Sequence, residues 1–360
     1  MSKMKITKKK VIGKAYVGID VHKTSWKVCV LSSGGFKKEF SCNPQVEALV
    51  ASLENMLPDF EFQCAYEAGF SGFWLADGLN ETEGFNCIVV NPADIPTSDK
   101  ERAQKEDKRD ARKIASQLKA ESLEGIYIPS AEDIAFRELQ RLRSTITKDL
   151  VRSKARIKSF LFRSGINITS QEFPDSKQHW SARFIKRLNE LPIENSALRF
   201  TLTQLVQTLI NLREQQKTVL LELRTQIRNS KKEKMHEALC KITGIGEITS
   251  ATIISEVIDI NRFSSYEKYH SFIGLVPSTN SSADIEVVRG ITNRANKRLR
   301  KVFVESAWIA IRKDAELHHL YHSLKMRMKP NKAIIRVAKK LANRVRFTLL
   351  ELENEMLITT

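Results

Sequence analysis

The chain has 360 residues, and its 59 lysines and arginines against 42 aspartates and glutamates give a formal net charge of +17. Hydrophobic residues are 42% of the sequence, which is enough for one or two sizeable cores and excludes a chain disordered throughout. No run approaches the ~18 apolar residues of a membrane span, and the basic start leads into a strand pattern, so a cytosolic protein is expected. The five cysteines, Cys29, Cys42, Cys64, Cys87 and Cys240, form no Cys-x-x-Cys pair. They indicate neither a disulfide framework nor a zinc site and read as small buried hydrophobes.

In chain order, Tyr16 to Asp20, Trp26 to Leu31 and Phe36 to Ser41 read as strands, with a tight break at His22 to Thr24. Helical spacing follows over Pro44 to Leu57, a strand over Phe60 to Tyr66, a helix over Phe70 to Leu79, and a strand over Asn86 to Val90. Lys100 to Leu118 reads as a charged helix, completing an α/β layer fold over residues 1–130. Ala131 to Phe162 and Asn195 to Arg228 are long helical runs, joined by a loop containing Phe173 to Ser176, and predict an antiparallel hairpin or coiled-coil arm over 131–232. Residues 233–360 read as a compact helical domain. Its elements are a glycine turn between helices, a polar hairpin around Pro277 to Arg289, and helices near Asn296 to Lys313 and Asn331 to Glu355. Trp26, Trp74, Trp180 and Trp308 sit in apolar patterns and are assigned to cores, and His22 reads as a turn or packing residue.

The charge is unevenly spread. Residues 1–130 carry 18 basic and 18 acidic side chains, whereas 131–360 carry 41 and 24, so the whole excess of 17 lies in the latter stretch. Arg137 to Arg163 and Lys325 to Arg346 are dense in Lys and Arg, and Lys325 to Arg346 contains no acid. Any one such cluster is commonly a solvated helix face; several confined to one region of the chain point to a polyanion, most simply nucleic acid.

Asp20 closes the first strand, in Gly18-Ile-Asp-Val-His-Lys, and Glu67 closes a later one, in Tyr66-Glu-Ala-Gly. A carboxylate ending a buried run is costly unless a cation neutralises it. Asp107 and Asp110 stand three apart on a predicted helix and share a face. Four such carboxylates suit Mg²⁺, which takes a few acids plus waters and substrate phosphate. In order and spacing these motifs, with Asn91-Pro and Lys105-Glu-Asp-Lys-Arg-Asp-Ala-Arg, resemble the DEDD insertion-sequence transposases with a RuvC-like N-terminal domain, a family that includes a pilin-gene invertase. The resemblance implies an RNase H-like sheet and a metal site of Asp20, Glu67, Asp107 and Asp110.

Gly244-Ile-Gly246 between helical runs looks like a helix-hairpin-helix, whose backbone amides contact phosphate regardless of base; the alternative is an ordinary glycine turn. Downstream, Ser281 and Ser282 read by themselves as loop residues, beside Arg289, Arg294, Lys297, Arg298 and Arg300, which are suited to neutralising phosphate. The same family has a C-terminal transposase domain with a Gly-Leu-x-Pro motif, a Ser-Gly motif and a basic Leu-Arg motif. Its serine is taken as a covalent nucleophile. Position matching assigns that role to Ser282, with Ser281 the fallback, although Ala283 and Ala295 stand where the family has glycine.

The reading is therefore a DNA transposase and recombinase of an insertion sequence, acting with Mg²⁺ and a serine nucleophile. The resemblance further implies a homodimer or homotetramer guided by a structured bridge RNA that pairs with donor and target DNA. A bacterial or archaeal cytoplasmic, nucleoid-associated location follows. The rivals are a RuvC-like nuclease that cuts by metal-activated water, and a non-catalytic nucleic-acid-binding protein.

Overall fold

The computed structural model describes residues 11–95, 107–166, 180–282, 285–291 and 295–358. The chain divides into two compact units, Met1–Ile128 and Pro129–Thr360. In the first, β1 (Gly13–Val21), β2 (Trp26–Ser32) and β3 (Lys37–Cys42) form an antiparallel meander. Helix α1 (Val46–Met56) leads to β4 (Phe60–Glu67), and α2 (Trp74–Asn80) to β5 (Phe85–Val90). β4 pairs parallel with β1, and β5 parallel with β4, giving a five-stranded sheet of order β3-β2-β1-β4-β5. This mixed topology is consistent with the RNase H-like domain that the sequence motifs imply.

Period-two alternation divides the strand residues between two helical layers. Val17, Ile19, Val28 and Val30 face Leu49 and Leu53 of α1 and Leu75 and Leu79 of α2. The opposite face receives α3 (Asp107–Lys119), whose Ala111 and Ala115 meet Cys29 and whose Ile114 meets Ala65 and Val90. Gly18 permits that approach: a Cβ there would collide with the Ala111 carbonyl and the Ala115 amide. Helix α2 starts later than its apolar pattern predicts, because Gly72 takes φ +63° just before it. As a result Trp74 is half exposed rather than a core residue.

In the second unit, α4 (Ala131–Arg163) and α6 (Ser196–Arg228) are each 33 residues long. They run antiparallel: Phe136 packs with Leu223 and Ile227, Gln216 Nε2 donates to Thr147 Oγ1 at 3.0 Å, and Ile157 meets Leu202 and Val206. At that far end they are closed by α5 (Ala182–Asn189) through Phe184, Ile185 and Leu188. The Phe173 to Ser176 loop lies outside the described residues. The near end joins a helical core made by α7 (Lys232–Cys240), α8 (Glu247–Val257), α9 (Tyr266–Ile273), α10 (Lys297–Ala310), α11 (Ala315–Lys325) and α12 (Pro330–Ile358). The hairpin β6 (Pro277–Ser282) and β7 (Ile285–Ile291) stands between α9 and α10 in the chain. Cys29, Cys64 and Cys87 are buried as expected, but Cys240 is exposed. Among the described residues, no helix is long and apolar enough to cross a membrane.

Replacing Gly18 by alanine should force α3 off the sheet and cost about 1–3 kcal/mol as overpacking. Urea denaturation of the full chain reads this directly, and an unchanged midpoint would mean that the contact is not tight.

Candidate active site

Ile19 pairs with Tyr66 across the parallel β1 and β4, and the next residue on each strand is an acid, Asp20 and Glu67. The two carboxylates therefore leave neighbouring strands at the same level. Alternation puts Asp20 on the side of Gly18 and Glu67 on the side of Ala65, which is the face that α3 covers. Asp20 is only 20% exposed, and its Oδ2 lies 2.9 Å from Nε2 of His22. Glu67 is exposed. The end of β4 is held by the buried Tyr66, whose hydroxyl donates to the Gly72 carbonyl at 2.9 Å, and by the Ala68 amide, which donates to the Val90 carbonyl at 2.8 Å.

The direction of α3 follows from its two ends. Lys119 Nζ donates to the Ser32 carbonyl at 3.0 Å, and Ser32 is paired with Ala15 near the start of β1. The start of α3 thus points to the other end, where Asp20 and Glu67 lie. Asp107 is one turn before Ala111, about 6 Å along the helix. Asp20 is two residues beyond Gly18, about 6.6 Å along the strand. The backbone of Asp107 therefore reaches the level of Asp20, while its side chain lies outside the described residues. Asp110 is half-buried beside Ala111. Arg112, on the same helix, bonds Glu39 on β3 at 2.6 Å and ties α3 to the sheet.

The structure brings Asp20, Glu67 and the start of α3 to one end of one sheet. Among the described residues, no group of three or more His, Cys, Asp and Glu side chains forms a metal cluster; the side chain of Asp107, a member of the expected set, is not among those described. The donor chemistry present fits a hard cation: two carboxylates side by side at a strand end repel one another unless something positive stands between them. The sequence marks His22 only as a turn or packing residue. Its bond to Asp20 gives it a further role, orienting that carboxylate, and its position two residues after a strand-end acid is the signal that points there.

In the second unit, α7 and α8 are joined by the expected glycine turn, but the two glycines differ. Gly244 has φ +93°, and a Cβ on it would press on the Ser306 carbonyl and Ala310 of α10. Its requirement is internal packing. Gly246 caps α8 with open space around it. Ser282 is the last residue of β6, paired with Ile285, and Ser281 pairs with Glu286. The side chains of both serines and of Arg289 lie outside the described residues, as does Arg294 altogether.

Lys297 and Arg298 are exposed at the start of α10, whereas Arg300 packs against Gly274. Gly274 ends α9 with φ +79°, and any Cβ there would strike Ala295 and Arg300. Asn296 caps α10 by accepting from the amides of Arg298 and Leu299. That cap is held in turn by a residue that no sequence motif singles out, Glu256 of α8. Its 2%-exposed carboxylate accepts from Arg141 Nε at 2.9 Å and Nη2 at 3.0 Å, and from Asn296 Nδ2 at 2.7 Å. Arg298 Nε lies 3.9 Å away.

Residues 236–322 match the family described as "Transposase IS116/IS110/IS902 family", and residues 17–164 match a DEDD transposase family of the IS110 type. A Sinorhizobium fredii protein named as a putative transposase, y4qE, is 30% identical over 300 residues, covering 82% of this chain and 71% of the relative. The chain belongs to the IS110 family of insertion-sequence transposases. It is an enzyme that acts on DNA. The transposase of element IS1533 from Leptospira borgpetersenii is 27% identical over 312 residues, covering 82% of this chain and 85% of that protein. The transposase of IS1111A from Coxiella burnetii is 26% identical over 227 residues, 59% of this chain and 56% of the relative. In this transposase the first matched region spans Asp20, Glu67, Asp107 and Asp110, and the second spans the glycine turn, Glu256 and both serines.

Burial alone would raise the Glu256 carboxyl, but the hydrogen bond and charge of Arg141, the bond from Asn296 and the charge of Arg298 outweigh it and hold the group below the usual glutamate range. A depressed folded-state value contributes stability above the unfolded value, and this is lost as pH falls through the folded one. Glu256→Gln should therefore destabilise the transposase at pH 7 by about 1.5–3 kcal/mol, through the lost charge-assisted hydrogen bonds from Arg141, which stays 30% exposed and keeps Glu138 at 3.2 Å. As pH falls from the ordinary glutamate range through the depressed value, the variant should lose less further stability than the wild type. Urea unfolding across that range checks both statements.

Proposed function

We propose that this transposase breaks and rejoins DNA strands through a divalent-metal site of Asp20, Glu67, Asp107 and Asp110, with Mg²⁺ as the cation, and a serine nucleophile, Ser282. The observation that carries this reading is the pair of acids level at the ends of neighbouring parallel strands, with the start of α3 directed to the same place. A cation bound there would polarise a phosphoryl oxygen and neutralise charge as the phosphodiester reacts. Asp20 and Glu67 would hold it from the strands and Asp107 and Asp110 from the helix, and His22 would keep the Asp20 carboxylate oriented.

Ser282 Oγ would attack the scissile phosphorus. One P–O bond forms to the serine, the P–O bond to the departing DNA strand breaks, and the serine proton leaves to solvent or a nearby base. The phosphoserine ester retains the bond energy, so a DNA hydroxyl reverses the exchange and releases the serine. Lys297 and Arg298, with Arg289 and Arg294, would offset phosphate charge there, and Gly246 at the start of α8 would offer backbone amides to a neighbouring phosphate.

The same reading divides the chain into a catalytic domain over residues 1–130, a helical arm over 131–232 and a serine-bearing domain over 233–360. The metal-site acids and the serine belong to different units, and family likeness supports their assembly between subunits of a homodimer or homotetramer. The net +17 of the second unit supports nucleic acid as its partner. Family likeness supports a structured bridge RNA that pairs with donor and target DNA in the cytoplasm, leaving sequence choice to base pairing.

With DNA carrying the element's ends and flanks, Asp20→Asn is expected to lower cleavage by about 100-fold or more with DNA binding retained. Wild-type protein should stay attached to DNA under denaturing conditions, and Ser282→Ala should abolish that adduct. Cleaved DNA free of protein in the wild type would favour metal-activated water, and an undiminished adduct in Ser282→Ala would remove the serine assignment.

A further inference from the structure

The second unit also contains a cleft of about 540 Å³ between the glycine turn, the start of α9 and the middle of α12. Its lining includes Lys241 and Thr243 from the turn, Tyr266 at the first position of α9, and Lys340, Asn343 and Phe347 of α12. The three α12 residues follow a spacing of three and four and so share one face of that helix. Two aromatic rings are left open to solvent here, Tyr266 at 48% and Phe347 at 58% exposure.

The walls are firmly built. The Arg346 guanidinium sits 4.6 Å from the centre of the Tyr266 ring, and its Nη2 donates to the Phe263 carbonyl at 3.2 Å. Arg344 is bonded to Asp314, which caps α11, and to Glu316 in its first turn, and Lys340 lies 3.3 Å from Glu316. Lys241 is exposed and has no ion-pair partner among the described residues. The stretch Lys325 to Arg346, which supplies one wall, contains no acid.

We propose that this cleft seats one unpaired nucleotide of a nucleic-acid strand, with its base against Tyr266 and Phe347 and its phosphate on Lys241 and Lys340. The volume falls within the range of about 300–1,000 Å³ typical of small-ligand sites. Aromatic faces stack on any base, and ammonium groups take the backbone, which is the recurring chemistry of single-strand binding. An acidic peptide would satisfy the lysines and leave the rings without a flat partner. A paired base inside a duplex reaches neither ring. Lys340 and Phe347 lie beyond both regions matched by the transposase families, 17–164 and 236–322, so the site rests on the geometry of this chain. The strand can be DNA opened during exchange or an RNA; the recognised group is the same.

The test uses the full-length chain, without divalent metal so that cleavage plays no role. Fluorescence anisotropy is measured with a short single-stranded DNA, the RNA of the same sequence, and the duplex DNA. Phe347→Ala should weaken single-strand binding about 5- to 100-fold and duplex binding less than about 2-fold, with Phe347→Trp restoring it. Lys241→Gln should lower the slope of log K against log salt by about 0.7, the share of one phosphate on a single strand. Loss on the DNA strand, the RNA strand or both supports the seat and names its occupant. Unchanged affinity for both strands, an equal loss on the duplex, or a changed oligomeric state of Phe347→Ala by sedimentation would overturn it. Failure of the metal or serine assignments leaves these measurements unaffected.

Discussion

The parallel pairing of β1 with β4 is the constraint on which the N-terminal unit depends. It fixes Ile19 against Tyr66 and so leaves the next residue of each strand, Asp20 and Glu67, side by side on one face. A one-residue slip would send one of these acids to the α1 and α2 side, where it would be buried among Leu49, Leu53 and Leu75. The hydrophobic alternation that builds the core is thus the same pattern that sets two like charges together. Gly18 completes the arrangement by letting α3 lie close enough for its first turn to arrive at those acids.

The second unit depends on buried ionic groups held by partners that are themselves partly exposed. Glu256 joins α8, α4 and the cap of α10 through Arg141 and Asn296. Lys232, only 5% exposed, is bonded to Glu132 at 2.9 Å and Asp133 at 3.2 Å at the start of α4. Gln140 donates to Thr252 within the same seam. Such groups are costly to strip of a single partner, so they fix which helix faces meet rather than adding much net stability. The first long helix is thereby registered against the core that carries the serine hairpin.

Much of this is legible in the sequence. Strand alternation marks β1, β2, β4 and β5 to within a few residues, because each has one face in a core of Val, Ile, Leu and aromatic residues. The two 33-residue helices are visible from their uninterrupted apolar spacing. Helices α5, α9 and α11 are not: α5 and α9 have only eight residues each, and α11 is rich in histidine, so none offers a long periodic signal. The apolar pattern around Trp74 misplaces it in the core, because its exposure follows from where Gly72 lets the helix begin. The strand-end acids are readable, since a carboxylate closing an apolar run is a local signal. Glu256 is not, because its partners Arg141 and Asn296 are 115 and 40 residues away. The aromatic and basic cleft is hidden for the same reason: it gathers residues from three distant segments.

The approach of Gly244 to α10 has a mechanical meaning. With Ser306 and Ala310 directly beneath it, the turn between α7 and α8 cannot sink without displacing α10. A push on that turn is therefore carried as a shift of the helix that begins just after Asn296, and Gly274 at the end of α9 is jammed against the same stretch of chain. Two residues without side chains thus set how near α10 comes to its neighbours, and a methyl group at either one would wedge that helix away.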